Sequence, residues 1–306
     1  IAGMDMILQD VSKPMKEQGG AILEVNAGPG LLMHLKPTSG APRPVGQAIV
    51  EHLFPSSEAH TGTGRIPVVG IAGTRENAFT ARLVGWLLQL SGKLTGVASE
   101  QGMFLNNRQT QKTNTANWAG AHRLLTNRLA QAAVIETTAR SILEEGLAYD
   151  RCLVGVVTDM DGFDTLADHD VREQGQMTRV MRTQIDVVLS EGAGVLNADE
   201  EQVVDLARLC DGEVLLYSTQ ADNAHIATHR ADNAEGRAVF VKNNQVILAT
   251  GAQERVLGTL DALSLPGGRR PDTPALLAAI AAAWSMDIAP DLIGAGIKTF
   301  EYTPAA

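Results

Sequence analysis

The sequence predicts an α/β fold in which a mainly parallel β-sheet is flanked by helices. From residue 66 onward, short apolar runs rich in β-branched residues alternate with stretches of helical spacing, the pattern of a parallel sheet. Hydrophobic residues make up 44% of the 306 residues, enough for a sizeable core. No run of about 18 apolar residues occurs, so we expect no membrane-spanning helix.

The net charge and the two cysteines indicate which partners and which cellular compartment to expect. The chain has 25 Lys and Arg against 35 Asp and Glu, a net charge of −10, which argues against a nucleic-acid partner. Cys152 and Cys210 lie in apolar segments, as expected for free thiols in a cytoplasmic protein. The first residues, Ile1 to Asp5, show neither an initiator Met nor a signal peptide, so we expect a fragment that begins within a domain.

A break in composition suggests two domains. Residues 20–26 alternate like a strand that ends in a Gly-Pro-Gly turn, and residues 45–54 have helical spacing. Residues 55–64 are small and polar and lack periodicity, as in a linker. We therefore expect one domain over residues 1–54, a linker over 55–64 and a second domain over 65–306.

The second domain accounts for most of the predicted elements. Asn243-Asn244 predicts a two-residue hairpin turn, and Pro290 divides two C-terminal helices within residues 274–300. The polar segment 220–236 is expected to be a loop, which argues against a zinc pair of His225 and His229. Strands are predicted at 66–72, 132–136, 153–158, 183–189, 194–197, 213–218, 238–242 and 245–250, and helices at 79–90, 117–130, 172–184 and 200–210.

Three oxygen-bearing side chains near the N-terminus form a candidate metal site. Glu24 and Asn26 lie two residues apart on one predicted strand, so their side chains share a face. Asp5 lies on an earlier apolar stretch, residues 4–8. Carboxylate and amide oxygens suit Mg²⁺ that bridges the phosphates of ATP. The alternative is a half-exposed strand whose polar residues face solvent.

The wider sequence around these residues resembles known ligases. Residues 20–30, Gly-Ala-Ile-Leu-Glu-Val-Asn-Ala-Gly-Pro-Gly, resemble the last strand of ATP-grasp ligases, whose Glu-x-Asn closes the magnesium site. Asp5, in Gly-Met-Asp, matches the preceding acidic ligand of that family. Residues 24–35 and 42–55 resemble the cyanophycin synthetase family, in which a Mur-ligase-like module follows the ATP-grasp module. Leu32 departs from that family, which usually has Arg at this position.

This resemblance implies a function, cofactors and partners. It implies ATP and Mg²⁺ as cofactors, with Asp5, Glu24 and Asn26 as metal ligands, and ATP-dependent amide-bond formation. The substrate class is an aspartate- and arginine-containing polymer or a dipeptide, and we expect a homo-oligomer. The first domain corresponds to the C-terminal part of the ATP-grasp module and the second to the central Mur-ligase-like domain.

The expected phosphate loop of the second module is altered. A strand, a Gly turn and a helix surround residues 73–78, the right context for a phosphate loop. Mur-type ligases have Gly-Thr-Asn-Gly-Lys-Thr there, whereas only Gly73 and Thr74 remain in this chain. Glu76, Asn77 and Ala78 replace the second Gly, the Lys and the final Thr. These changes add a negative charge and remove the cation and the magnesium ligand. We expect no ATP binding at this loop.

Other family positions are partly retained. Glu136 matches a glutamate that Mur-type enzymes use near a second magnesium, whereas Asp159 replaces an Asn of the family. Met181 lies near the position of a lysine that becomes carbamylated in the family. Asn197 and Asp199 match residues near the nucleotide base, and together with Gly73 and Thr74 they outline a vestigial nucleotide site. Asp199 is equally consistent with an N-cap of helix 200–210.

We therefore predict a fragment of a cyanophycin synthetase-like ligase. Its chemistry lies in the ATP-grasp part, and its Mur-like part lacks a working nucleotide site. We single out no catalytic side chain and expect the fragment alone to be inactive. The family carries a third domain after the segment that residues 298–303 match, and we expect that domain to be either absent or cut off here. The alternative is a non-catalytic scaffold, derived from a Mur ligase, that binds polymer or mediates oligomerisation.

Overall fold

The computed structural model describes residues 1–54, 64–268 and 270–302. Backbone contacts divide the chain into two units, Ile1–Arg65 and Ile66–Ala306. Within the predicted linker, residues 55–63 lie outside the described residues, and Gly64 has a positive φ of 69°. The predicted boundaries at residues 54 and 65 stay a prediction.

The first unit contains an antiparallel pair of strands, β1 (Gly3–Leu8) and β2 (Gly20–Asn26), and two helices, α1 (Leu32–Leu35) and α2 (Val45–Leu53). The strand predicted at residues 20–26 and the helix predicted at residues 45–54 are present, and the apolar stretch 4–8 lies within β1. The two helices contain no buried residue, and no residue of β2 is buried. A two-stranded ribbon of this kind builds little core of its own.

The described residues of the second unit form an 11-stranded sheet. Its strand order is β13-β12-β11-β10-β9-β8-β3-β7-β4-β5-β6, with parallel pairing from β11 through to β4 and antiparallel strands at both edges. The strands are β3 (Val68–Ala72), β4 (Thr95–Ser99), β5 (Gly102–Leu105), β6 (Arg108–Gln111), β7 (Ala132–Thr137), β8 (Cys152–Val157), β9 (Val188–Asn197), β10 (Glu213–Ser218), β11 (Arg237–Lys242), β12 (Gln245–Thr250) and β13 (Gln253–Thr259).

Helices cover both faces of this sheet, which confirms the predicted fold class. Every residue of β3 and β7 is buried, as expected for central parallel strands between two helical layers. One apolar cluster joins the sheet to α3, α9 and α10, and a second joins it to α5, α6, α7 and α8. The helices are α3 (Asn77–Leu90), α4 (Trp118–Leu125), α5 (Ala139–Glu145), α6 (Gln174–Asp186), α7 (Glu201–Val204), α8 (Ala224–Asp232), α9 (Thr273–Ser285) and α10 (Pro290–Lys298).

Three of the sequence predictions are corrected by the structure. The strand predicted at 183–189 is wrong in its first half, because Gln184 and Ile185 are buried within the last turn of α6. The helix predicted at 117–130 ends at Leu125, where Thr126 Oγ1 turns back to the carbonyl of His122. The segment 220–236 is not a loop throughout, because Asn223 caps α8.

The C-terminal predictions are confirmed. Asn243 and Asn244 have φ of 51° and 61° and join β11 to β12 in an antiparallel hairpin. Pro290 begins α10, separate from α9. Within the described ranges, no helix is both long enough and apolar enough to span a bilayer.

Candidate functional site

The predicted metal ligands of the first unit share one face of the ribbon. Asp5 pairs directly with Glu24 across the two strands, and Asn26 lies two residues further along β2. Asn26 Nδ2 donates a hydrogen bond of 2.9 Å to Glu24 Oε1, which leaves the amide oxygen as a further ligand atom. All three side chains are exposed.

This donor set fits Mg²⁺ chemically. The Asp5 and Glu24 carboxylates lie directly opposite each other in the strand register, and like charges in this arrangement repel. A divalent cation relieves that repulsion, and the amide oxygen of Asn26 adds a neutral ligand. Phosphate oxygens and water would supply the remaining ligands of a bound Mg²⁺. Among the described residues there is no cluster of three or more His, Cys, Asp or Glu suited to a metal, so the set depends on this amide.

In the second unit, the altered phosphate loop lies where the sequence predicts it, between β3 and α3. Gly73 is buried with φ of 141°, and a Cβ there would collide with Thr158 Oγ1. The next three residues, Thr74, Arg75 and Glu76, are exposed, and Glu76 adopts a left-handed conformation with φ of 49°. The loop thus keeps a glycine that its close approach to β8 requires.

The backbone donors of the loop bind a carboxylate of the chain itself. Thr74 N donates to Asp159 Oδ2 at 2.9 Å, and Arg75 N donates to the same oxygen at 3.1 Å. Thr74 Oγ1 and Thr158 Oγ1 add hydrogen bonds of 2.9 Å each to the carboxylate. Burial by itself raises the pKa of Asp159, but the hydrogen bonds from Thr74, Thr158 and Asp161 outweigh it and the pKa is lowered. Asp159 is therefore a buried anion.

Arg75 is not available as a free cation for a ligand. Its Nε lies 2.9 Å from Asp161 Oδ2, and its Nη1 lies 2.9 Å from Glu200 Oε1. These ion pairs lie on the outer side of the loop, where the Arg75 side chain is about half exposed. The guanidinium thus bridges two acidic side chains beside the buried carboxylate.

The remaining residues of the predicted nucleotide site hold the strand ends together. Asn197 Nδ2 donates to the carbonyl oxygen of Thr158 at 2.9 Å, which links β9 to the end of β8. The Asp199 carboxylate accepts hydrogen bonds from Thr219 N at 2.8 Å and Thr219 Oγ1 at 2.7 Å, and from Ser218 Oγ. The N-cap alternative for Asp199 is wrong, because α7 begins after Glu200.

The structure thus brings Gly73, Thr74 and Asn197 into one network through Thr158 and Asp159. Sequence reasoning noted Asp159 as a replaced family residue but missed it as the partner of the loop. No local feature of the sequence indicates this contact, because it depends on β8 lying next to β3 in the sheet. The predicted metal ligands Asp5, Glu24 and Asn26 belong to the first unit.

Three further titratable side chains of the second unit, Glu136, His225 and His229, were singled out from the sequence. Glu136, at the end of β7, is 4% exposed, and its Oε2 accepts a hydrogen bond of 2.9 Å from Glu100 N. Burial raises the pKa of Glu136 to about 7. His225 and His229 lie four residues apart on α8, but no metal cluster forms around them in the described part of the chain.

Comparison with known proteins relates the chain to two groups of ligases. No family model matches it. It is 34% identical to a cyanophycin synthetase of Synechocystis sp. over 99% of this chain and 35% of that protein. It is 32% identical to a cyanophycin synthetase of Crocosphaera subtropica over 98% of this chain and 34% of that protein. The chain thus spans about a third of the length of these curated relatives, and the recognised resemblance is confirmed over nearly all of it.

Solved structures support the fold of the second unit. A structure of UDP-N-acetylmuramoyl-L-alanyl-D-glutamate–2,6-diaminopimelate ligase matches with a TM-score of 0.56 at 12% identity, over 78% of this chain and 47% of that one. MurF from Acinetobacter baumannii matches with a TM-score of 0.53 at 12% identity, over the same shares. At this level of identity the likeness shows a Mur-ligase-like fold and nothing about activity.

Proposed function

Because nearly the whole chain aligns with about a third of several cyanophycin synthetases, we propose that it is part of an ATP-dependent acid–amino acid ligase of that type. The ligase acts on an aspartate- and arginine-containing polymer or on a dipeptide. Its chemistry takes place at the ATP-grasp-like first unit. The Mur-like second unit keeps its sheet but holds no nucleotide.

The observation that carries this proposal is the shared face of Asp5, Glu24 and Asn26. The antiparallel register places the two carboxylates opposite each other, and the Glu24–Asn26 hydrogen bond orients the amide beside them. Bound Mg²⁺·ATP supplies an activated phosphoryl group for amide-bond formation. The side chains of this face would hold the metal, and the metal would offset the charge of the phosphates and help to fix the reacting groups in place.

The filled loop of the second unit supports the other half of the proposal. A triphosphate needs the backbone donors of Thr74 and Arg75, and these donors bind Asp159 instead. Glu76 adds a further negative charge at the exposed end of the loop. We therefore expect residues 1–306 alone to show no ATP turnover at this loop.

A chimeric ligase tests the proposed function. Residues 1–306 replace the aligned segment of the Synechocystis relative, and ATP-dependent incorporation of aspartate, arginine or their dipeptide into a polymer primer is measured. We expect an active chimera that loses activity with Glu24→Gln. The matched control is Glu17→Gln, an exposed glutamate of the same unit, and it should leave activity intact.

The same experiment separates the proposal from the scaffold alternative. A scaffold that only binds polymer predicts that Glu24→Gln changes neither the incorporation rate nor the retention of polymer by the chain. A folded chimera with full activity in the Glu24→Gln form would therefore contradict the assignment of Asp5, Glu24 and Asn26. The scaffold interpretation draws its support from this loop, because Asp159 takes the backbone donors that a nucleotide phosphate would need.

A further inference from the structure

Arg82, in the second turn of α3, is a buried cation that neither of the two sites described above uses. Its side chain is 9% exposed. The guanidinium carbon lies 3.7 Å from the centroid of the Phe104 ring and 5.9 Å from that of Phe300. Burial lowers the pKa of Arg82, and the Tyr302 hydroxyl opposes this only in part. The positive charge is therefore held in place at a cost in solvation.

The hydrogen-bond partners of this guanidinium are neutral. Arg82 Nη2 donates to Asn107 Oδ1 at 3.1 Å, and Nη1 donates at a longer distance of 3.4 Å to Gln101 Oε1. Glu100 precedes Gln101 and is exposed, but neither it nor another carboxylate pairs with Arg82 in the part of the chain that the structure describes. A buried charge without an opposite charge destabilises a fold, so Arg82 lacks the partner that would offset its burial.

Contacts with the C-terminal segment fix this arrangement. Gln101 Nε2 donates a hydrogen bond of 2.6 Å to the Tyr302 hydroxyl oxygen, which leaves Oε1 to face Arg82. The Tyr302 ring packs edge-on against Phe79, with 5.0 Å between the ring centroids. The guanidinium is thus oriented by aromatic rings and amide groups that leave its charge unchanged, and an anion that binds it meets a preorganised partner.

The nitrogen atoms of the guanidinium lie towards the surface. Their partner Asn107 is exposed, and Gln101 is half-buried, so both amide groups stand where solvent reaches them. Arg82 Nε and the second hydrogens of Nη1 and Nη2 make no hydrogen bond within the described residues. Donors in the planar fork that matches a carboxylate therefore remain available.

We propose that Arg82, with the amide groups of Gln101 and Asn107, forms a subsite of the second unit that binds a carboxylate of an aspartate-containing chain. The choice of an aspartate-containing chain rests on the proposed function, whereas the unpaired cation and its neutral partners are independent of it. This subsite needs no nucleotide, so a Mur-like unit without a working phosphate loop retains a contact with the polymer.

Calorimetric titration of the chain with tetra-aspartate tests the proposal, with tetra-asparagine as the neutral counterpart. We expect binding of tetra-aspartate only. Arg82→Met keeps an unbranched apolar chain over Phe104 and removes the charge, so it should weaken this binding at least about tenfold. The matched control is Arg108→Met. Arg108 is exposed and pairs with Leu105 rather than with Phe104, so its side chain leaves the opposite face of the hairpin and its loss should not affect binding.

A second variant separates a binding subsite from a cation that only packs on aromatic rings. Gln101→Glu has nearly the same shape and places a carboxylate within reach of Arg82 Nη1. If the charge of Arg82 lacks a partner, this variant should unfold at a higher urea concentration than the parent, because the new ion pair offsets the buried charge. It should also bind tetra-aspartate at least about tenfold more weakly, because the chain's own carboxylate then takes the subsite.

Three results would overturn the proposal. The first is a parent chain that binds tetra-aspartate no better than tetra-asparagine. The second is a folded Arg82→Met variant that binds tetra-aspartate as the parent does. The third is a Gln101→Glu variant that unfolds at a lower urea concentration than the parent, and this result decides the matter even where Arg82→Met does not fold. None of these measurements involves ATP or Glu24, so the ligase proposal stands or falls separately.

Discussion

Neutralising Glu136 permanently should remove a pH-dependent loss of stability from the second unit. Burial raises the pKa of Glu136 from 4.5 to about 7, and the nearby Glu100 carboxylate acts in the same direction while the Glu100 N–H opposes it. A carboxyl group whose pKa is raised by folding stabilises the protein fully below its unfolded pKa. That contribution is lost as the pH rises through the folded pKa. The window for Glu136 therefore runs from about pH 4.5 to about pH 7.

The size of the effect follows from the shift. A difference of about 2.5 pKa units, from 4.5 to about 7, corresponds to about 3 kcal/mol at about 1.4 kcal/mol per unit. Glu136→Gln keeps an oxygen that accepts the hydrogen bond from Glu100 N and cannot ionise. Relative to the parent, we expect this variant to gain up to about 3 kcal/mol on going from pH 4.5 to pH 8.

Urea unfolding followed by tryptophan fluorescence measures this difference. All three tryptophans, Trp86, Trp118 and Trp284, lie in the second unit, so the signal reports on that unit. Titrations at several values between pH 4.5 and pH 8 should diverge between parent and variant. The exposed Glu235 provides the control variant, Glu235→Gln. Parallel stability curves for the parent and Glu136→Gln would refute the account of this buried carboxyl group.

Three further outcomes follow from the two sites. Gly73→Ala should lower the free energy of unfolding, measured in urea, by about 2–4 kcal/mol, because the new Cβ would collide with Thr158 and the residue has a positive φ. The control Gly175→Ala should leave this free energy unchanged, because no atom lies within contact distance of the added Cβ. Glu24→Gln should weaken Mn²⁺ binding by about tenfold or more, as measured by electron paramagnetic resonance, whereas the control Asp10→Asn should not. Equal weakening by both variants would argue against Asp5, Glu24 and Asn26 as the metal ligands. The triple loop variant Glu76→Gly, Asn77→Lys and Ala78→Thr should bind Mg²⁺·ATP only together with Asp159→Ala, and calorimetric binding by the triple variant alone would show that the carboxylate is no obstacle.

Much of the fold was predictable because its signals are local. The hairpin at Asn243-Asn244 needs two residues with positive φ, and Asn tolerates that conformation. Residues 183–186 misled the prediction because apolar and β-branched residues at the end of a helix look like the start of the strand that follows. A tertiary contact favours the helical conformation here, because Gln184 Oε1 accepts a hydrogen bond of 2.7 Å from the buried Tyr149 hydroxyl.

The two sites differ in how far the sequence reveals them. Glu24 and Asn26 lie on one strand, so their shared face follows from a period of two. The facing of Asp5 and Glu24 depends on strand register, which the structure supplies. The bond between Thr74 and Asp159 joins residues 85 positions apart. The sequence around either residue does not indicate this hydrogen bond. It depends on the pairing of β3 with β8, which the structure supplies.

The central claim is that metal and nucleotide belong to the first unit and not to the loop of the second. The most direct measurement is amide NMR of the chain during titration with Mn²⁺·ATP, with paramagnetic broadening as the readout. The account predicts broadening centred on Asp5, Glu24 and Asn26, with the amides of Gly73 and Thr74 unchanged. Broadening centred on Gly73 and Thr74, with Glu24 unaffected, would contradict it.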